Sequence, residues 1–324
     1  MSDKQGSNRG HNADKPNEIP ARGWKDIGSR VLKQIKSDHV QIVSAGVAFY
    51  FFMALFPTII AAMSIYGLIL DPANIQDHIS ALSRVLPGEA SGMIEGFIKP
   101  IISKPSVHLS WSLFLSILIS LWSANQGTKA LFEGINIAYN EKDTRGFFRK
   151  TGLTLLFTIG GLVIGFLSIL IVIFFPALIE HIHLGSVVES ILGWSRWLIL
   201  AGLIILALGV IYKVAPNRDD PELRWISWGS VIATNFWIMS SLLFSWYVKN
   251  FGSYGEMYGS LAAVVIMLLW LFLTAFIILL GAEINSEMEH QTRKDTTVGP
   301  DQPLGERGGY HADHVAGKNE GIKS

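Results

Sequence analysis

The chain has 324 residues, and its 26 Lys and Arg are balanced by 26 Asp and Glu, so net charge gives no reason to expect nucleic acid as a partner. Half the residues are hydrophobic and only 16% are charged, well below the roughly 25% of an ordinary soluble domain. With no cysteine, the chain can hold no disulfide, iron–sulfur cluster, thiolate zinc site or cysteine nucleophile. The charge is also unevenly spread: 13 charged residues fall in 1–39 and 12 in 285–324, leaving 27 for the 245 positions between. That middle block reads as embedded in a membrane.

In chain order, residues 1–20 are polar and poor in aliphatics, a composition that cannot bury enough surface to order itself, so disorder is expected. No short apolar core precedes a small-residue cleavage site, and the first long apolar segment is read as directing insertion. Residues 21–39 form an amphipathic pattern. Trp24, Ile27, Val31, Leu32 and Ile35 share a helical face, while Lys25, Arg30, Lys33 and Lys36 fall elsewhere, which suits a helix lying on an anionic membrane surface. From 40 to 289 a transmembrane domain is expected. Spanning a bilayer takes about 20 mostly apolar residues as a helix, because backbone groups in hydrocarbon must bond within their own segment. Six stretches meet that need, at about 42–70, 107–128, 151–179, 190–212, 225–248 and 257–283. Between the first two lies a loop, 71–106, whose apolar periodicity predicts two short helices broken at Pro87-Gly88. Residues 290–324 again read as a disordered tail. The fold class is therefore all-α, a polytopic membrane bundle of six transmembrane helices with short amphipathic helices outside the spans.

Lys and Arg crowd the cytoplasmic flanks of membrane helices. With the N-terminus inside, the inner segments hold 21 of them and the outer segments five, so both termini are expected in the cytoplasm. Six tryptophans, Trp111, Trp194, Trp197, Trp225, Trp228 and Trp246, sit near predicted span ends, where indoles favour the headgroup level.

Polar side chains cost free energy in lipid, so those inside spans mark candidate functional positions. Trp122, Asn125, Lys129, Glu133, Asn136 and Asn140 recur at helical spacing after the second span, forming either one wall of a polar groove or the solvated face of a helix entering water. In the fifth span Ser227, Ser230, Thr234, Ser241 and Ser245 make a hydroxyl stripe beside Asn235, which favours helix packing over a substrate path. Tyr254 stands in a glycine-rich segment, 250–260, that is either a gate or a turn. Glu283 closes the sixth span and either pairs with Lys129, Arg145 or Arg149 or marks a solvated helix end. The expected substrate path is Asn125, Asn136, Asn235, Tyr254 and Glu283; the expected headgroup contacts are Lys129, Arg145, Arg149 and Arg224.

Signals for an enzyme are weak. His181-Ile182-His183 and His311-Ala312-Asp313-His314 lack a third ligand at a diagnostic distance, and no phosphate loop, nucleophile elbow or His-Glu-x-x-His helix occurs. No catalytic residue, metal site or cofactor is expected.

Several segments in the right order resemble one family of bacterial inner-membrane proteins. Ala45-Gly-Val-Ala-Phe-Tyr50 through Leu55-Phe-Pro57, Leu121-Trp-Ser-Ala-Asn125 through Asn136-Ile-Ala-Tyr139, Leu243-Phe through Tyr258-Gly-Ser-Leu261, and Leu280-Gly-Ala-Glu-Ile-Asn285 are similar to the YihY/BrkB family over about residues 25–290. The resemblance implies a multi-pass inner-membrane protein linked to serum resistance or envelope lipid homeostasis, whose members have carried the old label ribonuclease BN. The residues supply none of the ligands a metal nuclease needs. The reading is a protein that transports or transfers an envelope lipid or other amphiphile between leaflets. Its partners would be membrane lipids or a lipid-linked envelope component, not nucleic acid. The alternatives are an envelope scaffold or homeostasis factor without transport activity, or a membrane-bound hydrolase. Small residues in the spans permit a homo-oligomer without demanding one.

Overall fold

The computed structural model describes residues 9–69, 106–182, 186–250 and 260–316. Among them the chain is helical with no strand, only an isolated bridge between Pro221 and Thr297. The helices are α1 (Ala21–Ser37), α2 (Val40–Ile69), α3 (Ser106–Ala138), α4 (Phe147–Ile182), α5 (Ser186–Val214), α6 (Leu223–Asn250), α7 (Ser260–Gln291) and a single turn, α8 (Tyr310–Asp313). Six of these fall on the six expected spans. Among the described residues five segments are long and apolar enough to cross a membrane: Val40–Ala61, Phe147–Val172, Trp194–Val214, Leu223–Asn250 and Leu261–Gln291. The remaining long helix, α3, has 33 residues and carries no Asp, Glu, Lys or Arg before Lys129. The expected helices of 71–106 and the glycine-rich turn holding Tyr254 lie outside the described residues.

The chain divides into two compact units, Phe49–Gly127 and the rest. In the first, Thr58 and Ser120 hydrogen-bond between α2 and α3. Gly127 accepts the Phe51 ring where a Cβ would stand 3.1 Å from it. Phe49, Met53 and Phe56 of α2 and Trp111, Phe114, Leu115 and Trp122 of α3 are exposed, as helices solvated by acyl chains rather than water require.

The second unit is built around α7, which packs against α6 and α1, while α6 continues to α5 and α5 to α4. Two glycines allow these axes close approach. A Cβ at Gly229 would collide with the Asn285 amide, and one at Gly281 with the Tyr212 hydroxyl. The space is used for hydrogen bonds that tie helix to helix. Gly229 N–H donates to Asn285 Oδ1 at 2.8 Å, and Tyr212 O–H donates to the Ile278 carbonyl at 2.7 Å. The hydroxyl stripe of α6 bonds within its own helix: Ser230, Thr234 and Ser241 each donate to the carbonyl four residues earlier. These hydroxyls are packing groups.

Three expectations need correction. The amphipathic α1 forms, but Ile27 and Val31 are buried with Trp225 and Met288 in a protein core rather than in lipid; Leu32 alone of its apolar residues remains largely exposed. Arg30 fixes that docking by donating to the Glu287 carboxylate and to Gln291 Oε1 at 2.7 Å. The second and third corrections are the tails. The described part of the first, residues 9–20, buries Ala13 and Ile19, and the described part of the second, to Ala316, buries Thr296, Arg307, His311 and Ala312. Composition foresaw disorder because each tail alone has little apolar surface. Together they bond to each other and to α7: Arg293 N–H donates to the His11 carbonyl at 2.8 Å, Thr292 Oγ1 to the Ala13 carbonyl at 2.7 Å and Gln291 Nε2 to the Arg9 carbonyl at 2.7 Å. Within the second tail the Arg307 guanidinium donates to the carbonyls of Arg293, Lys294, Gln302 and Ala312, so one side chain replaces a missing hydrophobic core.

Candidate functional site

The polar residues of the second unit concentrate where α7 ends and α1, α3 and the terminal segments meet. Asn136, expected on the substrate path, lies there fully buried, and both ends of its amide are occupied. Nδ2 donates to Phe132 and Ala215 carbonyls at 2.8 and 3.2 Å, and Oδ1 accepts the Asn217 N–H at 2.8 Å. It is a staple between α3 and the α5–α6 turn. Arg145, expected at a headgroup, is drawn into the same turn. It donates to Asn217 Oδ1 at 3.1 Å and to the Val214 and Pro216 carbonyls at 3.0 and 2.7 Å. Burial pushes its guanidinium down from the usual arginine range. The Asn136 amide is thus engaged at both ends within the protein, and Arg145 is tied to the turn through Nε and Nη2, its Nη1 buried without a hydrogen-bond partner.

Lys129, Arg149 and Arg224 remain at the margins. Lys129 lies 5.7 Å from the centroid of the Phe147 ring, Arg149 is exposed, and Arg224 is exposed beside its partner Glu222. Phe147 and Phe148 are the most openly presented aromatics here, at 72% and 88% exposure, so basic and aromatic side chains share one helix end. That combination suits a headgroup layer. The expected groove wall on α3 is split: Trp122, Glu133 and Asn140 are exposed while Asn125 and Asn136 are buried. Asn125 Oδ1, in the smaller unit, is buried without a hydrogen-bond partner. Asn235 faces outward from α6 among exposed Val231, Phe236, Ile238 and Met239, with Nδ2 donating to the Val231 carbonyl at 2.8 Å. Within the second unit, then, Asn136 is buried and Asn235 is turned outward.

Two glutamates of α7 carry the strongest electrostatics. Glu289 is wholly buried and accepts both Nη atoms of Arg218 at 2.6 and 2.8 Å. Arg218 also lies 4.4 Å from the Tyr139 ring centroid, and its carboxylate partner holds its pKa above the ordinary arginine value despite the burial that opposes it. Glu283 is equally buried, yet no donor reaches either of its oxygens. Its expected partners, Lys129, Arg145 and Arg149, are occupied elsewhere or exposed, and the helix end is not solvated. What faces Glu283 is a second carboxyl, Asp38, within hydrogen-bond reach.

Sequence reasoning missed Asp38, Arg218 and Glu289, and met His311 only in a weak metal-site fragment. His311 is buried against His290, ring centroids 4.9 Å apart, with Nε2 3.0 Å from Asn140 Nδ2. Burial, helped by His290, pushes its imidazole down to about 3. Among the described residues no three His, Asp or Glu side chains are placed to share a metal ion.

A bundle of long helices with apolar exteriors and polar ends defines a polytopic, all-α membrane protein. A family model described as virulence factor BrkB matches residues 31–304, and the chain belongs to that family. Among its relatives is a Bacillus subtilis protein named only as ribonuclease-like, YfkH, 28% identical over 78% of this chain and 91% of its own length. UPF0761 membrane proteins of Alteromonas mediterranea and Haemophilus influenzae are 24% and 23% identical, over 83% and 82% of this chain and 93% and 96% of theirs. No solved structure matches.

Proposed function

We propose that this protein moves an amphiphile, an anionic envelope lipid or a lipid-linked envelope component, between the leaflets of a bacterial inner membrane, with both termini in the cytoplasm. The observation that carries the reading is Asn235. It lies about 18 Å along a helix about 42 Å long, so its amide sits near mid-depth on a face otherwise made of aliphatic and aromatic side chains. A polar group facing hydrocarbon is costly and is retained when it meets polar cargo or a polar neighbour. An exterior foothold lets a headgroup slide past while its tails stay in lipid, and no closed tunnel is needed. Lys129, Arg149 and Arg224 with Phe147 and Phe148 supply a basic, aromatic landing zone at helix ends. The orientation rests on the excess of Lys and Arg on one set of loops.

No catalytic step belongs to this reading. The name of the Bacillus relative makes RNA cleavage by the purified protein a separate assay. Transfer itself is tested by reconstitution in liposomes carrying labelled anionic and zwitterionic lipids. The expected result is faster leaflet exchange than in empty vesicles, slowed by Asn235→Leu by about tenfold, the equivalent of one lost hydrogen bond to a charged group. Exchange at the empty-vesicle rate for every lipid in the panel would sink the reading. A specific rival is a contact between two copies through the same amide, since polar side chains also join membrane helices. In that case Asn235→Leu would dissociate an oligomer in detergent and leave lipid exchange unchanged.

A further inference from the structure

Glu283 has both carboxyl oxygens buried with no donor, and the Asp38 carboxyl that faces it has Oδ2 likewise buried without one, while its Oδ1 accepts the Ser37 hydroxyl at 3.3 Å. Two ionised carboxylates offer only acceptors, so they can hydrogen-bond only if one carries a proton. Asp38 stands at a mechanical joint. It caps α1, and His39, next in sequence, has φ of 51°, a left-handed conformation uncommon outside glycine, from which α2 starts at Val40. The pair therefore joins this strained elbow to α7.

The surrounding charges are already committed. From α1, Arg30 serves Glu287 and Gln291. From α7, Glu287 takes Arg30 and lies 3.5 Å from His290 Nδ1. From α3, Lys129 lies over Phe147, Glu133 pairs with Lys150 at 3.0 Å, and the buried Tyr139 hydroxyl near Glu283 carries no charge that could balance it. Arg224 of α6 goes to Glu222, Arg218 of the α5–α6 turn to Glu289, and His311 of α8 to Asn140. His39 on the elbow is exposed and faces Asp38 as a weak favourable charge.

We propose that Asp38 and Glu283 share one proton and act as a proton-operated latch that fastens the α1–α2 elbow to α7. The proton comes from water. When it is bound, an O–H on one carboxyl donates to the other, and the elbow is held. When it leaves to solvent, two negative charges face each other in a poorly solvated place and the joint is pushed open. Burial raises the Asp38 carboxyl above its ordinary range, which moves the release toward the neutral side. The latch is independent of lipid transfer and is read without any lipid assay.

The test uses the full chain in nanodiscs. Infrared difference spectra across a pH titration should show a protonated-carboxyl stretch that persists above the usual Asp and Glu range. Asp38→Asn and Glu283→Gln should each abolish it, because the new amide donates the hydrogen bond that the proton supplied. A stretch whose midpoint is unmoved by Asp38→Asn would overturn the shared proton, since burial of Glu283 alone would then explain it. A stretch lost at constant pH when sodium replaces potassium would overturn it too, marking a metal-cation site. The native chain has no cysteine, so spin labels at Lys33→Cys and Leu223→Cys report the position of α1 against α6. Their separation should lengthen as pH rises through the infrared midpoint, and Glu283→Gln, which keeps the bond at every pH, should hold it short. A separation independent of pH in the native background would overturn the latch.

Discussion

Glu289 and Glu283 lie six residues apart on one helix and are equally hidden from solvent, yet their surroundings are opposite. Glu289 accepts three hydrogen bonds, two from the Arg218 guanidinium and one from the Thr296 hydroxyl at 3.3 Å, and an aromatic ring lies over that guanidinium. The Glu283 carboxyl oxygens take no donor, and the charges that act on them are those of two further acids, Asp38 and Glu287. A buried charge that is fully matched is costly to bury but far costlier to break, so it fixes one arrangement. A buried acid that is unmatched leaves its protonation state free to change the arrangement. The first region is built to stay as it is and the second to respond.

The largest effect that would break this contrast is at Arg218. Arg218→Met strands Glu289 in the interior and should cost about 3–5 kcal/mol, read as a fall in melting temperature and in folded yield after extraction. A change within the noise would mean the pair is solvated and the contrast false. Next is Asn136→Ala, which leaves the Asn217 N–H and the Ala215 carbonyl without partners and should cost about 1–3 kcal/mol by the same measurement. Glu283→Gln should do the reverse. By replacing a proton with a permanent donor it should raise the melting temperature at pH above the infrared midpoint, by the equivalent of about 1 kcal/mol.

Two pH dependences of opposite sign sharpen it further. The folded state holds His311 at about 3, below the roughly 6.5 of an unfolded histidine, so between those values the unfolded chain binds the extra proton. Stability from this group is present above about pH 6.5 and is lost as pH falls toward 3. Melting temperature should therefore drop on acidification, and His311→Asn should flatten that slope. Asp38, raised by burial, makes the folded chain the one that binds more protons. Its contribution is full below the ordinary aspartate value and declines as pH rises through the folded pKa. In Glu283→Gln that decline should vanish while the acid-side slope of His311 remains. The smallest effect is at Arg149. Arg149→Gln changes an exposed side chain and should move stability by less than about 0.5 kcal/mol.

The long helices were legible because the cost of bare backbone in hydrocarbon forces long apolar runs, and such runs survive in a single sequence. Six helices stand where composition placed them. The meaning of the polar residues was less legible, because their partners come from far along the chain. Asn136 reads as a groove residue until Asn217 is beside it, and Arg30 as a lipid-facing charge until Glu287, 257 positions away, takes it up. The tails failed for the same reason, each being disordered by composition and ordered only by the other. Glu283 reads as a paired or solvated carboxylate at a span end, because helical spacing within α7 contains nothing about the elbow that brings Asp38 against it.

The bond between His11 and Arg293 also has a topological consequence. Residues in contact are on one side of the bilayer, so the polypeptide must traverse it an even number of times between them. Among the described residues five stretches qualify on hydropathy, an odd number, and α3, with 33 residues and no charge before Lys129, has the length to make the number even. Reporters fused at the two ends should accordingly face the same compartment, whichever one it is.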